Sequence, residues 1–189
     1  MKIYLVRHAA YSNPENVFAF HLPVYLSIEG RDHVQRIGEW FKTNDLTSLP
    51  IMSSPIVRCV QTSEIIAGHI GSNVTLDERL VEVANPVLQG TSMSPEHWSI
   101  EDAHPDTETL EQVCNRMFNW LDDIIAADQD IVGVSHGTPL TVLYNTLIDQ
   151  PLPRPLWSPE QTPKNIQRGE IAILTIKDRR LIDHERIII

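Results

Sequence analysis

Apolar residues along the chain fall into short unbroken runs, separated by longer segments in which they recur every three or four positions. Residues 2–6 form the first run and stop abruptly at Arg7-His8. A continuous apolar run of this length predicts a strand covered on both faces, as in parallel sheets. Residues 31–42 carry Val34, Ile37 and Phe41 at helical spacing. A second short strand, over 49–52, runs into Ser53-Ser54-Pro55. Ser54 followed by Pro55 reads as a helix start, a side-chain cap and then a proline at the first helical position. The helix so begun carries Arg58 in its first turn and is expected to reach about Ala67, with Gly68 and Gly71 ending it. Residues 74–82 predict a strand leading into a loop, and Pro86, Pro95 and Pro105 make 83–105 an irregular excursion over one end of the sheet. The clearest helix is 108–126, where Leu110, Val113, Met117, Leu121, Ile124 and Ile125 form one stripe. The apolar strand 131–134 ends in Ser135-His136-Gly137, and a helix from about Pro139 to Ile148 follows. A proline-rich loop over 151–163 precedes a closing hairpin of 170–176 and 181–188. Strands alternating with helices predict an α/β fold, a three-layer α/β/α sandwich with a mostly parallel central sheet.

The length of 189 residues fits one domain spanning 1–189, with 83–105 as its insertion. No apolar run approaches the roughly 20 residues that span a bilayer, and the N-terminal segment lacks the features of a signal peptide. Cys59 and Cys114 have neither metal-ligand nor redox spacing. These features predict a cytoplasmic protein with reduced cysteines and no membrane partner. The formal net charge of −10 argues against a nucleic-acid partner, which calls for a basic footprint. It also sets a condition: an anionic substrate needs its arginines gathered in one pocket, because the average surface repels it.

Three segments share one property, a buried strand that stops where polar groups begin. They are Val6-Arg7-His8, Ser53-Ser54-Pro55 with Arg58, and Val134-Ser135-His136-Gly137. The carboxyl ends of parallel strands form the ligand crevice of open sheets, so residues distant in sequence can converge there. Two histidines and two arginines in such a crevice make an anion site. An imidazole nitrogen can attack phosphorus and split one difficult hydrolysis into two easier steps. Arginine offers a planar fork of donors that fits phosphate oxygens and stays charged.

These residues carry a family resemblance. The chain resembles the histidine phosphatase superfamily, also called phosphoglycerate mutase-like. Leu5-Val6-Arg7-His8-Ala9 is similar to its N-terminal Arg-His-Gly signature, and Leu26-Ser27-Ile28-Glu29-Gly30-Arg31 to the stretch opening its first helix. The run from Ser53 through Arg58 to Thr62 resembles the segment with the second arginine, Arg79-Leu80-Val81-Glu82 the segment supplying the acid, and Val134-Ser135-His136-Gly137 the one with the second histidine. The matches fall in family order over nearly the whole chain. The resemblance implies a phosphoric monoester hydrolase of the histidine acid phosphatase type, acting on a small phosphate ester without a metal or other cofactor. It implies His8 as nucleophile, Glu82 as general acid, and Arg7, Arg58 and His136 as phosphoryl-binding groups, with His136 favouring its charged form and His8 neutral. The asparagine of the following loop is either Asn13, one residue early, or Asn16. Ala9 replaces the usual glycine, and Thr107-Glu108-Thr109 replaces a common Gly-Glu-Ser.

Two rival readings remain at this point: a cofactor-dependent phosphoglycerate mutase, and a phospholigand-binding module without catalysis. Val83–Gln89 lacks the basic, tyrosine-containing stretch that such mutases carry, and an intact set of His8, Arg7, Arg58 and His136 has no use in a module without catalysis. Ser53 and Ser135 lack the Gly-x-Ser-x-Gly pattern of a serine nucleophile. The remaining histidines show no metal spacing, and His21 lies in a loop near the proposed pocket. That loop, 14–25, has aromatic and aliphatic residues and no lysine or arginine, so the non-phosphate part of the substrate is expected to be neutral or partly apolar. The chain leaves its oligomeric state open, a homodimer included.

Overall fold

Alternation along the strands decides which helices cover which face. The structure, a computed structural model, describes residues 1–94, 105–152, 156 and 162–189. Its elements in chain order are β1 (Lys2–Arg7), α1 (Ile28–Thr43), β2 (Ile51–Ser53), α2 (Val57–Ile70), β3 (Val74–Leu76), α3 (Leu110–Ala127), β4 (Ile131–Ser135), α4 (Gly137–Leu147), β5 (Ile171–Lys177) and β6 (Arg180–Ile187). The six strands make one sheet in the order β3-β2-β4-β1-β5-β6. β3, β2, β4 and β1 are mutually parallel, while β5 and β6 are antiparallel additions at the other side. Ile3 and Leu5 of β1, with Ala172, Leu174 and Ile176 of β5, pack against α3 and α4. Tyr4, Val6, Val132, Val134, Ile171 and Ile173 point the other way, onto Val34, Ile37 and Phe41 of α1 and Cys59 and Ile66 of α2. β1, β4 and β5 are thus buried on both faces, which is why their sequences are almost continuously apolar, whereas the edge strands β3 and β6 are largely exposed. The three layers are those expected.

Local differences have identifiable causes. α1 begins at Ile28, earlier than the apolar spacing alone indicated, because Ser27 caps it by accepting the Gly30 N–H at 3.0 Å. α3 begins with a capping box between Thr109 and Gln112. α2 does not start at Ser54-Pro55. Its N-cap is Ile56, with no side-chain cap. The Ser54 hydroxyl instead accepts the Ile56 N–H at 3.2 Å and turns toward His136. Gly68 stays inside α2, and the chain leaves the helix at Gly71 in the left-handed conformation (φ 69°).

Of the irregular excursion expected over 83–105, residues 95–104 lie outside the described residues, His97 and His104 among them. Its described part pairs with the 13–25 loop through the bridge Val17↔Ser92 and the bonds Phe18 N–H to Thr91 O (2.9 Å) and Gly90 N–H to Phe18 O (2.9 Å). Most of the proline-rich loop, 153–155 and 157–161, also lies outside the described residues.

Candidate active site

Strand register brings the polar strand ends together. β2, β4 and β1 are adjacent, with Ser53 opposite Val134 and Arg7 opposite Ser135. Paired strands lie about 4.8 Å apart, so the next residues on, Ser54, His136 and His8, become neighbours. The Ser54 N–H donates to Val134 O at 2.9 Å and the His8 N–H to Ser135 O at 3.0 Å. The His8 and His136 rings sit 5.1 Å apart at 64°. The first turn of α2 delivers Arg58, whose Nε–H donates to His8 Nε2 at 3.2 Å. All three side chains are buried.

The hydrogen bonds allocate the protons. His8 Nδ1 lies 2.8 Å from the Ala9 carbonyl, which can only accept, so Nδ1 carries the proton and Nε2 the lone pair. Burial first, then Arg58 and Arg7, hold the His8 pKa well below its ordinary 6.5, against the opposing pull of the Ala9 bond. His136 Nε2 lies 2.8 Å from Ser54 Oγ and 3.3 Å from Cys59 Sγ. The Cys59 thiol donates to Ser135 O at 3.4 Å, and burial pushes its pKa up to about 12, so it is inert as a nucleophile. His136 Nδ1 is buried and makes no hydrogen bond among the described residues. Burial, then Arg58 and His8, push the His136 pKa well below 6.5. The charged His136 expected from the sequence is therefore not the ligand-free state, because its neighbours before any anion arrives are cations.

Arg7 Nη1 donates to the Ile166 carbonyl at 2.7 Å, and burial together with the nearby Arg168 lowers its pKa to about 10. Glu82, half-buried, acts electrostatically on both Arg7 and Cys59. Its Oε1 accepts the Val83 N–H at 2.9 Å, and its backbone carbonyl accepts His21 Nε2–H at 2.7 Å. The segment beneath it is fixed by Glu108, which takes Arg116 in a fork (2.6 and 3.0 Å) and the Ala84 N–H at 3.2 Å.

Asn13 is not among the groups in contact with His8 or His136. Its amide pairs both ways with the Val17 backbone, accepting at 3.2 Å and donating at 2.8 Å. Asn16, exposed and in the left-handed region (φ 50°), closes the same turn by its N–H to Asn13 O at 3.0 Å.

Two residues escaped sequence reasoning. Tyr11 lies between three site groups, its ring 5.5 Å from that of His8, 5.4 Å from Arg58 Cζ and 4.5 Å from Arg168 Cζ. Arg168 stands beside Arg7 because β5 runs antiparallel to β1. The only available signal was the strand that follows it, whose pairing partner the sequence does not name. Phe18 and Phe20 stack on each other (5.6 Å, 10°), and Phe20 also packs on the core. Backbone carbonyls of this loop hold Arg58, whose Nη2 donates to Phe20 O at 2.6 Å and Nη1 to Leu22 O at 3.4 Å.

Comparison with known proteins places the chain in a family. The family model for the histidine phosphatase superfamily (branch 1) matches residues 3–177. The chain belongs to the histidine phosphatase superfamily. Within that superfamily, a Citrobacter koseri protein named "Probable phosphoglycerate mutase GpmB" is 28% identical over 166 residues, covering 80% of this chain and 76% of that one. Among solved structures, Bacillus stearothermophilus YhfR superposes with a TM-score of 0.80 at 22% identity, over 95% of this chain and 93% of its own. The Shigella flexneri α-ribazole phosphatase gives 0.77 at 17% identity (96% and 93% covered). A mycobacterial glucosyl-3-phosphoglycerate phosphatase in complex with VO3 gives 0.78 at 20% identity (98% and 96% covered). These structural likenesses establish a shared fold. Among the described residues, no helix is long and apolar enough to cross a membrane.

Proposed function

We propose that this superfamily member hydrolyses small phosphomonoesters through a covalent phosphohistidine on His8 Nε2. The observation that carries the reading is the His8 tautomer. With Nδ1–H held by the Ala9 carbonyl, the lone pair sits on Nε2, in contact with Arg58 and beside His136. In the first step this lone pair bonds to phosphorus while the ester P–O bond breaks, and Glu82, entering as the carboxylic acid, gives its proton to the departing alkoxide. In the second step a water oxygen bonds to phosphorus and its proton passes to the Glu82 carboxylate. The P–N bond then breaks, restoring His8 and releasing inorganic phosphate.

Arg7 and Arg58 stabilise charge on the equatorial oxygens. His136 contributes its unpartnered Nδ1, and as the N-cap of α4 it lies at the positive end of that helix's dipole, which favours an anion. Arg58 leaves the lone pair of His8 only when the phosphoryl group takes over its Nε–H, so the resting contact keeps the nucleophile unprotonated until substrate enters. The loop asparagine, Asn13 or Asn16, is the remaining candidate for a phosphate contact.

The test compares p-nitrophenyl phosphate turnover by the wild type and His8→Ala, with detection of phosphohistidine after an alkaline quench, since the P–N bond survives base and not acid. Loss of both turnover and phosphoenzyme in His8→Ala is expected, and equal rates would sink the assignment. A second reading, transfer of the phosphoryl group back to a rearranged phosphoglycerate, is favoured by the mutase names of the 28%-identical relatives. A coupled assay decides between them, since isomerisation without phosphate release identifies the mutase.

A further inference from the structure

Arg168 is a third guanidinium at the edge of the site. Ile171 of β5 pairs with Val6 of β1, so residues preceding β5 lie beside those following β1. The Gly169 N–H donates to Arg7 O at 3.1 Å and His8 O at 3.3 Å, and its φ of 74° turns the chain sharply there. The turn is braced by buried Glu170, which accepts Arg186 Nε at 2.6 Å, Arg186 Nη2 at 2.8 Å and the Gln167 N–H at 2.5 Å. Arg186 also holds the Lys164 and Asn165 carbonyls, each at 2.8 Å. Arg168 therefore stands on fixed backbone, its guanidinium stacked on Tyr11, which also touches His8 and Arg58. It is exposed, and among the described residues it makes neither a hydrogen bond nor an ion pair. In a chain with 25 acidic and 15 basic residues, a bare arginine beside Arg7 and Arg58 is repelled by both, and an arriving anion relieves that repulsion.

We propose that Arg168 receives a second anionic group, a carboxylate or a second phosphate, on the leaving-group part of the substrate. The inference rests on the phosphatase reading above. It revises the neutral leaving group expected from the 14–25 loop: that loop has no cation, but the turn before β5 supplies one next to His8. Tyr11 holds the guanidinium face, leaving its edge donors for a two-pronged contact.

Glycerol 3-phosphate, 3-phosphoglycerate and glycerol 1,3-bisphosphate share one ester and differ in a hydroxymethyl, a carboxylate or a second phosphate. For Arg168→Met, kcat/KM should fall about 10- to 100-fold more on a doubly anionic ester than on glycerol 3-phosphate, the size of a charge-assisted hydrogen bond. Which of the two anionic esters shows the larger loss identifies the group. Arg168→Lys should recover part of the difference, since it keeps the charge without the fork. An equal loss on all three esters, or none, overturns the proposal. If the wild type turns over none of them, p-nitrophenyl phosphate turnover decides the phosphatase reading separately. Calorimetric binding of the same three esters to wild type and Arg168→Met then decides about Arg168: selective loss of affinity for the doubly anionic ligands supports it, and equal affinities overturn it.

Discussion

Ser54 Oγ lies 2.8 Å from His136 Nε2, a contact that ties the tautomer of the buried histidine to the hydroxyl of Ser54. Ser54 already accepts the Ile56 N–H at 3.2 Å, which leaves its own hydroxyl proton for His136. When the hydroxyl donates, Nε2 is the acceptor and Nδ1 the protonated nitrogen, so a neutral ring still offers a donor to phosphate. Ser54 is a positioning residue in this scheme. Ser54→Ala should lower kcat by about 10- to 100-fold, the scale of one buried polar group left unpaired, with a smaller change in KM. It should also shift the acid limb of the pH–rate profile, because the tautomer is no longer set. Unchanged kcat and an unchanged profile would reduce Ser54 to packing.

The two site histidines make a pH prediction. Burial and the neighbouring arginines lower both pKa values below 6.5, so His8 stays unprotonated in mild acid. The acid limb of kcat/KM should lie below pH 6.5, and a limb at or above that value contradicts the geometry. Stability follows the same linkage. From about pH 6.5 downward the unfolded chain protonates these rings while the folded one does not. Stability is therefore complete above that pH and declines as pH falls toward the lowered folded values. The urea midpoint should drop between pH 7 and pH 5, and drop less in His136→Asn.

Glu82 and its support can be separated by leaving-group dependence. Glu82→Gln should cost more turnover with alkyl phosphates than with p-nitrophenyl phosphate, whose leaving group needs little protonation. Uniform loss would indicate a structural glutamate.

Glu108 and Arg116, each with only 16% of its side chain exposed, form the fork beneath that segment. Arg116→Met leaves the Glu108 carboxylate with only the Ala84 N–H and takes the guanidinium from the Arg79 carbonyl, and should lower stability by about 1–3 kcal/mol. Thermal unfolding measures this, and the Arg116→Met losses should be largest on the alkyl esters if the fork holds Glu82 in place.

Gly30 in α1 faces the Ala10 carbonyl so closely that a Cβ there would collide with backbone. Gly30→Ala should destabilise the protein by about 1–3 kcal/mol, the usual range for overpacking. It should also depress kcat, since the displaced segment is the one leaving His8. A variant with wild-type melting temperature and activity would show that α1 can move aside.

Much of this molecule is written locally. A buried apolar run that ends in Arg7-His8 or Ser135-His136 announces both a strand and the chemistry at its tip, because burial on two faces demands continuous apolar side chains and only a strand end returns polar groups to solvent. The stripe from Val113 to Ile124 announces α3 in the same way. The family pattern then names His8, Arg58, Glu82 and His136. The helix start at Ser54-Pro55 misled because capping propensity is local, whereas the Ser54 hydroxyl is claimed by a histidine 82 residues away. Nor does spacing show that Arg58 rests on His8 Nε2 and on the loop carbonyls of Phe20 and Leu22.

By itself, then, the sequence determined which residues stand at strand ends and which family's chemistry they match. Tertiary structure alone decided the His8 tautomer and the place of Arg168. Gln167-Arg168-Gly169-Glu170 reads as an ordinary surface turn until β5 pairs antiparallel with β1 and sets it beside His8. Strand order and direction are long-range choices made by the packing of the whole sheet, and no window of sequence contains them.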